Sequence, residues 1–488
     1  MNMKKKPNNG IVKVSIASRI TQSIRTALSS PQKAPGAFFL FCAIIVPQFF
    51  YGEFDYAPFT GRILLCTLYF CLFVFCLCGA RSTGKELSLS EFYFLSVLAV
   101  IYFIPAFIVN NDSFYGGEMP ISVVFPTALI TLLISIIVRP RHARLLGILL
   151  PVGAFITGGF DESSLWFALA SGISASYMLK HARRRIDMFQ AGLSISVVHV
   201  IVMLSILLIK QSPTNLYAPL LAFAALGGIA SGILVLGITP LIEKMLHCAT
   251  EFRLIELLDL DTPLMKQLAQ KTPGTFQHSL VVANLAEAAC LEIGARSLLG
   301  RVGAYYHDIG KIDQPEYFVE NQHDFNKHSE INPRLSATVI RSHVKVGIEK
   351  GRAAGLPNEV IDIIASHHGN SLIAYFYNEA KKREENVDME DFCYPGEPPR
   401  TKEAAVVMLA DVTEAAVRTL DKPGTSRIEK FINDLITRKI DSEQLASAEI
   451  TFRELETIKK VFVRVLASYY HTRIEYPNQK ECAKEEAQ

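Results

Sequence analysis

Nearly every long apolar run in this chain falls before residue 245, and nearly every histidine-rich and strongly charged stretch follows it. Half of the 488 residues are apolar, and such a supply concentrated in one half cannot all be buried in an ordinary soluble core. A backbone crossing lipid must satisfy its own hydrogen bonds, so apolar runs about 16–25 residues long are expected as helices. The fold expected is all-α: a polytopic helical membrane domain over 36–245, followed by a cytoplasmic all-α domain over 246–477. A basic arm, 1–35, would precede them and a polar tail, 478–488, would follow.

Eight spans are expected, at 36–51, 62–80, 91–109, 120–138, 145–160, 163–180, 188–210 and 217–245. The connecting segments alternate in charge. Arg81 and Lys85 are followed by Asp112 and Glu118, then Arg139, Arg141 and Arg144, then Asp161 and Glu162, then Lys180, Arg183, Arg184 and Arg185. Basic loops stay in the cytoplasm, which places both chain ends there too. Lys4, Lys5, Lys6, Lys13, Arg19 and Arg25 read as a retained arm on an anionic leaflet, since no small-residue cleavage site follows them. The implied location is the bacterial inner membrane, multi-pass, with the bilayer as a partner. Gly227, Gly228 and Gly232 in the last span permit close helix contact, and with it a homodimer.

Composition narrows the function. Cys66, Cys71, Cys76 and Cys78 share one span, while Cys248, Cys290, Cys393 and Cys482 are isolated. None has the paired spacing of a zinc site or a secreted disulfide scaffold, so packing residues and free thiols are expected. No span carries the acid–base pairs of an ion pathway, and His199 alone reads as a packed histidine, which argues against transport. The formal net charge is only +2, and no nucleic acid polymer is expected as a partner.

The second half supplies the chemistry. His278, His307, Asp308, His343, His367, His368 and Asp411 can all grip metal, and each lies in or beside a stretch with apolar helical periodicity. Seven such ligands are enough for two ions. Thr272-Pro273-Gly274-Thr275 breaks the chain ahead of His278. Adjacent residues on a helix diverge by about 100°, so His307-Asp308 serves a metal best at a helix terminus, where Gly310 lets the backbone turn. His367-His368-Gly369 repeats the device after a helix at 357–366. Asp308 has two oxygens and can bridge two ions, whereas each imidazole has one free nitrogen. Imidazole and carboxylate without thiolate suit iron, manganese or zinc, and two such ions activating a water fit phosphodiester hydrolysis.

The string His307-Asp308-Ile309-Gly310-Lys311, with His278 upstream and Asp411 downstream, is similar to the HD superfamily of metal-dependent phosphohydrolases. The resemblance narrows with Pro273-Gly274-Thr275, Glu320-Asn321-Gln322, His367-His368-Gly369, Tyr394-Pro395-Gly396 and Leu409-Ala410-Asp411. Together these resemble the seven-transmembrane HD family of bacterial cyclic-di-AMP phosphodiesterases, the PgpH type, over 240–477 and in the layout of the membrane half. The resemblance implies two divalent ions, iron or manganese. His278, His307 and Asp411 would hold one, His343, His367 and His368 the other, with Asp308 between them. Lys311 would face the scissile phosphate as charge stabiliser or proton donor. Cyclic di-AMP would be the substrate, opened to pApA on the cytoplasmic side.

Two departures stand out. Tyr51 to Gly61 fill the gap where the family carries a large extracellular domain, and Asn326-Lys327-His328-Ser329-Glu330 replaces an Asn-Pro-His-Asp stretch. His323 and His328 are left outside the ligand set, and 421–477 shows helical periodicity without assignable chemistry. An HD phosphohydrolase of another nucleotide, cyclic di-GMP or a linear dinucleotide, is an alternative; Cys393 before Tyr394-Pro395 departs from the Gly-Tyr-Pro signature of the cyclic-di-GMP branch. A non-catalytic nucleotide-sensing receptor is another, opposed by the intact ligand set.

Overall fold

The computed structural model describes residues 32–46, 56–79, 87–109, 126–157, 161–179, 182, 184–322, 325–384, 386–420 and 424–470. The arm residues Lys4 to Arg25, the loop residues Arg81, Lys85, Asp112, Glu118, Lys180 and Arg183, and His323, His471, Cys482 and the tail lie outside them. Regular structure among the described residues is helical, apart from an isolated antiparallel bridge between Leu372 and Cys393. The chain divides into two compact units, one ending at Leu246 and the other beginning at His247.

The first unit contains helices α1 (Ala34–Ile45), α2 (Tyr56–Gly79), α3 (Leu89–Val109), α4 (Thr127–Ile137), α5 (Pro140–Ile156), α6 (Glu162–Met178), α7 (Ile186–Ile209) and α8 (Tyr217–Leu246). Each overlaps one expected span. Among the described residues, Phe59–Leu77, Ile186–Ile209 and Thr214–Leu246 are long and apolar enough to cross a membrane. The fifth span begins earlier than the sequence implies. Pro140 takes the first position of α5, where a missing N–H costs nothing, and so draws Arg141, His142 and Arg144 into the helix.

This unit leaves many large apolar side chains exposed, Leu64 at 71% and Ile209 at 82% among them, while Phe73, Tyr102 and Phe103 are buried beside small and polar residues. Gly147 faces Gly172, and Gly192 faces Gly232, at distances where an added Cβ would strike the opposite backbone. Gly228 likewise sits against Ser196. The glycines of the last span therefore bring α7 and α8 together within the chain, the close approach that membrane helices use in place of hydrophobic driving force. His199 is packed between Ala224 O and Ser171 Oγ, at 3.2 and 2.9 Å.

The second unit contains α9 (Glu251–Glu256), α10 (Pro263–Lys271), α11 (Pro273–Glu292), α12 (Ser297–Tyr306), α13 (Pro333–Ala353), α14 (Asn358–Ser366), α15 (Ala374–Lys381), α16 (Lys402–Val417), α17 (Thr425–Asp441) and α18 (Phe452–Tyr470). Thr250, Thr262, Asn332 and Thr401 cap four of these by accepting from backbone N–H groups. Residues 404–411 of α16 are all buried, as expected of a helix apolar all round. Val282, Ala286 and Ala289 of α11, Val302 of α12, Ile363 and Ile364 of α14 and Ile428 and Ile432 of α17 belong to the same core. Asp411 follows the apolar run Ala404 to Ala410 and lies inside α16, which continues through Val412-Thr413-Glu414-Ala415-Ala416-Val417.

Candidate metal centre and its cavity

His278 is carried into the core by α11, whose first turn is Pro273-Gly274-Thr275. The expected chain break is thus the helix start, with Pro273 at its first position. His307 is the C-cap of α12, and Asp308 follows at φ −109°, already off the helix, before a 3-10 turn at Ile309–Asp313. That change of course aims both side chains one way, with His307 Nε2 3.1 Å from Asp308 Oδ2. His367 caps α14 in the same manner, and Gly369 beyond it adopts φ +56°, a left-handed turn that favours glycine. Gly310 serves differently from expectation. It is not among the glycines with positive φ; it has no room for a Cβ because the backbone of His343 and Gly347 on α13 packs directly against it.

The ring tautomers follow from the backbone. Nδ1 of His307, His343 and His367 each donates to the carbonyl three residues earlier, Ala304, Ile340 and Ile364, at 2.7, 2.6 and 2.7 Å. A carbonyl only accepts, so a proton sits on Nδ1 of each ring, and a neutral ring then presents its lone pair at Nε2. The three Nε2 atoms converge on Asp308: His307 Nε2 at 3.1 Å from Oδ2, and His343 and His367 Nε2 at 3.4 and 3.7 Å from Oδ1. Nε2 of His343 and of His367 also face each other at 3.3 Å. His307 Nε2 and Asp308 Oδ1 are buried with no hydrogen-bond partner. Second protons are disfavoured on three of the site's rings, since burial lowers His343, and burial with the neighbouring imidazoles holds His367 down to about 3 and His368 well below its ordinary value. Acceptors facing acceptors in a dry interior repel, and a cation between them converts the repulsion into coordination.

Seven expected ligands come together in two groups. Asp308, His343, His367 and His368 form one, and His278, His307 and Asp411 the other. His278 Nε2 lies 3.1 Å from Asp411 Oδ1 and its Nδ1 bonds Glu414 Oε2. Burial opposes a charge on His278, but Asp411 and Glu414 outweigh it and raise the pKa to about 10. His328 belongs to neither group; its Nε2 donates to Tyr317 O at 2.7 Å.

Lys311 Nζ reaches Asp308 Oδ2 at 2.7 Å and Glu320 Oε1 at 2.8 Å, and lies over the Phe318 ring at 4.9 Å. Burial works against its charge, yet the two carboxylates hold its pKa far above the usual lysine value. Glu320 is itself fixed by Thr275 Oγ1, which donates at 2.9 Å, so two of the sequence words meet in one hydrogen-bond chain. Tyr394 stacks on His368 with ring centroids 4.3 Å apart.

Beside these groups lies a cavity of about 550 Å³, lined by His278, His343, His368, Asp411, Lys311 and Glu320, and also by Ser371, Tyr394, Arg418 and Lys439. Sequence reasoning missed Glu414, Arg418 and Lys439. The spacing Asp411-x-x-Glu414 marks one helix face and could have pointed to Glu414. Lys439 has no comparable marker, since α17 reaches the site only through packing.

Residues 36–250 match the family described as 7TM receptor with intracellular HD hydrolase, and residues 275–416 match the HD domain. The chain is similar to the cyclic-di-AMP phosphodiesterase PgpH of Bacillus subtilis (strain 168), 38% identical over 361 residues, which cover 72% of this chain and 51% of that protein. The protein of the same name from Listeria monocytogenes serotype 1/2a (strain 10403S) is 36% identical over 409 residues, covering 82% and 56%. The chain thus spans about half the length of these curated relatives. A crystal structure of the L. monocytogenes PgpH HD domain in complex with cyclic-di-AMP is 42% identical, covers 44% of this chain and 100% of that one, and superposes with a TM-score of 0.42.

Proposed function

This chain belongs to the family of seven-transmembrane receptors with an intracellular HD hydrolase domain, and from that premise we propose that it is a membrane-anchored phosphodiesterase that opens cyclic di-AMP to pApA. The observation that carries the metal-dependent part is the convergence of three imidazole Nε2 atoms on the buried Asp308 carboxylate. His278, His307 and Asp411 would hold one divalent ion, His343, His367 and His368 a second, and Asp308 would bridge them. The donor set of nitrogen and oxygen suits manganese or iron. When bound, the ions supply Lewis-acid stabilisation of the phosphoryl oxygens and a water acidified toward neutral pH.

The chain's own groups do the rest. Water adds across one P–O bond of the ring: its oxygen joins phosphorus, the ribose oxygen leaves and takes up a proton, and a linear dinucleotide results. Lys311 keeps its charge through its two carboxylate partners, which makes it a stabiliser of phosphoryl charge and a poor proton donor. Glu414 orients His278 through Nδ1, leaving Nε2 for the ion. The basic loops support a cytoplasmic side for this unit, where a cyclic dinucleotide messenger would be met.

The test is a side-by-side assay. Full-length protein in detergent with manganese should convert cyclic di-AMP to pApA faster than it opens cyclic di-GMP. Comparable rates would replace this substrate with the broader class of HD nucleotide phosphohydrolases.

A further inference from the structure

Lys439 is a cation that the reaction above does not use. It sits in the last turn of α17, beyond the residues matched by the HD domain, and it lines the same cavity as His278, His368 and Asp411. Its Nζ donates to Ser371 Oγ at 2.8 Å. Among the described residues no carboxylate lies within ion-pair distance of it, in contrast to Lys311, which is held by two. Ser371 follows directly on the metal-site turn: its N–H donates to His368 O at 3.1 Å, and its carbonyl accepts from the N–H of Tyr394 at 3.1 Å. The ammonium is therefore fixed at the cavity wall by the segment that carries two of the histidines. Arg418, two turns along α16 from Asp411, also lines the cavity and likewise has no ion-pair partner among the described residues.

A largely buried ammonium without a counter-charge is costly, and burial does push this amine below the ordinary lysine range, with Asp411 offsetting it in part. An anionic ligand removes that cost. A cyclic dinucleotide carries two phosphodiesters, and only one can be at the metal centre in a given turnover. Lys311 is committed to Asp308 and Glu320; Lys439 is free to take an anion. We propose that Lys439, set by Ser371 and supported by Arg418, binds the phosphodiester that is not being cleaved, and so selects a two-phosphate ring over a single phosphodiester. This rests on the cyclic-dinucleotide reading above and gives α17 a role in substrate selection.

The experiment compares cyclic di-AMP with bis(p-nitrophenyl) phosphate, a single phosphodiester, using the full chain with manganese. Lys439→Gln should raise KM for cyclic di-AMP about tenfold or more, with kcat changed by less than about threefold, the size expected from losing a charge-assisted hydrogen bond. The ratio of kcat/KM for the cyclic substrate to that for the single diester should fall by about tenfold. Lys439→Arg should restore most of the ratio, and Ser371→Ala should lower it by a smaller factor. A parallel loss on both substrates, or no change on either, overturns the subsite. If the wild-type chain cleaves bis(p-nitrophenyl) phosphate but not cyclic di-AMP, the parent reading has failed, and the subsite falls with it before any variant is made.

Discussion

A buried carboxylate that meets three imidazole Nε2 atoms is suited to a cation, and the protonation of its neighbours sets when that cation can bind. His278 is the neighbour whose proton competes. In the metal-free chain, burial disfavours its charge, but Asp411 and Glu414 raise its pKa to about 10, against about 6.5 for an ordinary histidine. A folded pKa above the unfolded one means that imidazolium stabilises the metal-free fold fully below about pH 6.5, and that this contribution fades as pH rises through about 10. An ion at Nε2 must displace the proton. Binding at His278, His307 and Asp411 should therefore tighten by up to about tenfold per pH unit between about 6.5 and 10, releasing one proton per ion. Calorimetric titration of manganese at pH 8, in two buffers of different ionisation enthalpy, measures that proton directly. Heats that do not depend on the buffer would show that His278 is already neutral and would remove it from the competition.

At the scale of the element, the site depends on how closely the 3-10 turn at Ile309–Asp313 can approach α13. Gly310 meets the backbone of His343 and Gly347, so a methyl group there must push the turn carrying Asp308 and Lys311 away from the helix carrying His343. Gly310→Ala should cost about 1–3 kcal/mol, the usual penalty of overpacking, and lower the thermal midpoint of this unit by several degrees. Bound manganese, measured on the purified protein, should fall with it. Wild-type melting together with full metal content would mean that the contact is slack. The sequence made Gly310 conspicuous but pointed only to a change of backbone course, because a string shows which residue is a glycine and not what packs against it. The His-Asp and His-His-Gly strings were legible since both depend on a helix ending, which apolar periodicity locates. Glu414 and Lys439 were not, as one needs the ring of His278, 136 residues away, and the other the docking of a helix whose own pattern records only its buried isoleucines.

For the whole molecule, the number of crossings decides which side the hydrolytic unit occupies. The basic loops follow the second, fourth and sixth expected spans, so they share a side with the N-terminal arm, and an eighth crossing returns the chain to that side before His247. Losing one helix of α1 to α8 as a crossing would reverse the outcome; losing an adjacent pair would not. Three of these helices reach crossing length on their own among the described residues, while α4 has only 11 residues from Thr127 to Ile137. Parity therefore rests on charge more than on helix length, and the basic residues Arg139, Arg141 and Arg144 at the α4–α5 junction, with those after α6, argue for retention inside. With an epitope tag after Gln488, spheroplasts treated with an impermeant protease should keep the 247–488 unit intact until they are lysed. Digestion of that unit in intact spheroplasts would place it outside, and with it would go the reading of a phosphodiesterase that acts on a cytoplasmic messenger.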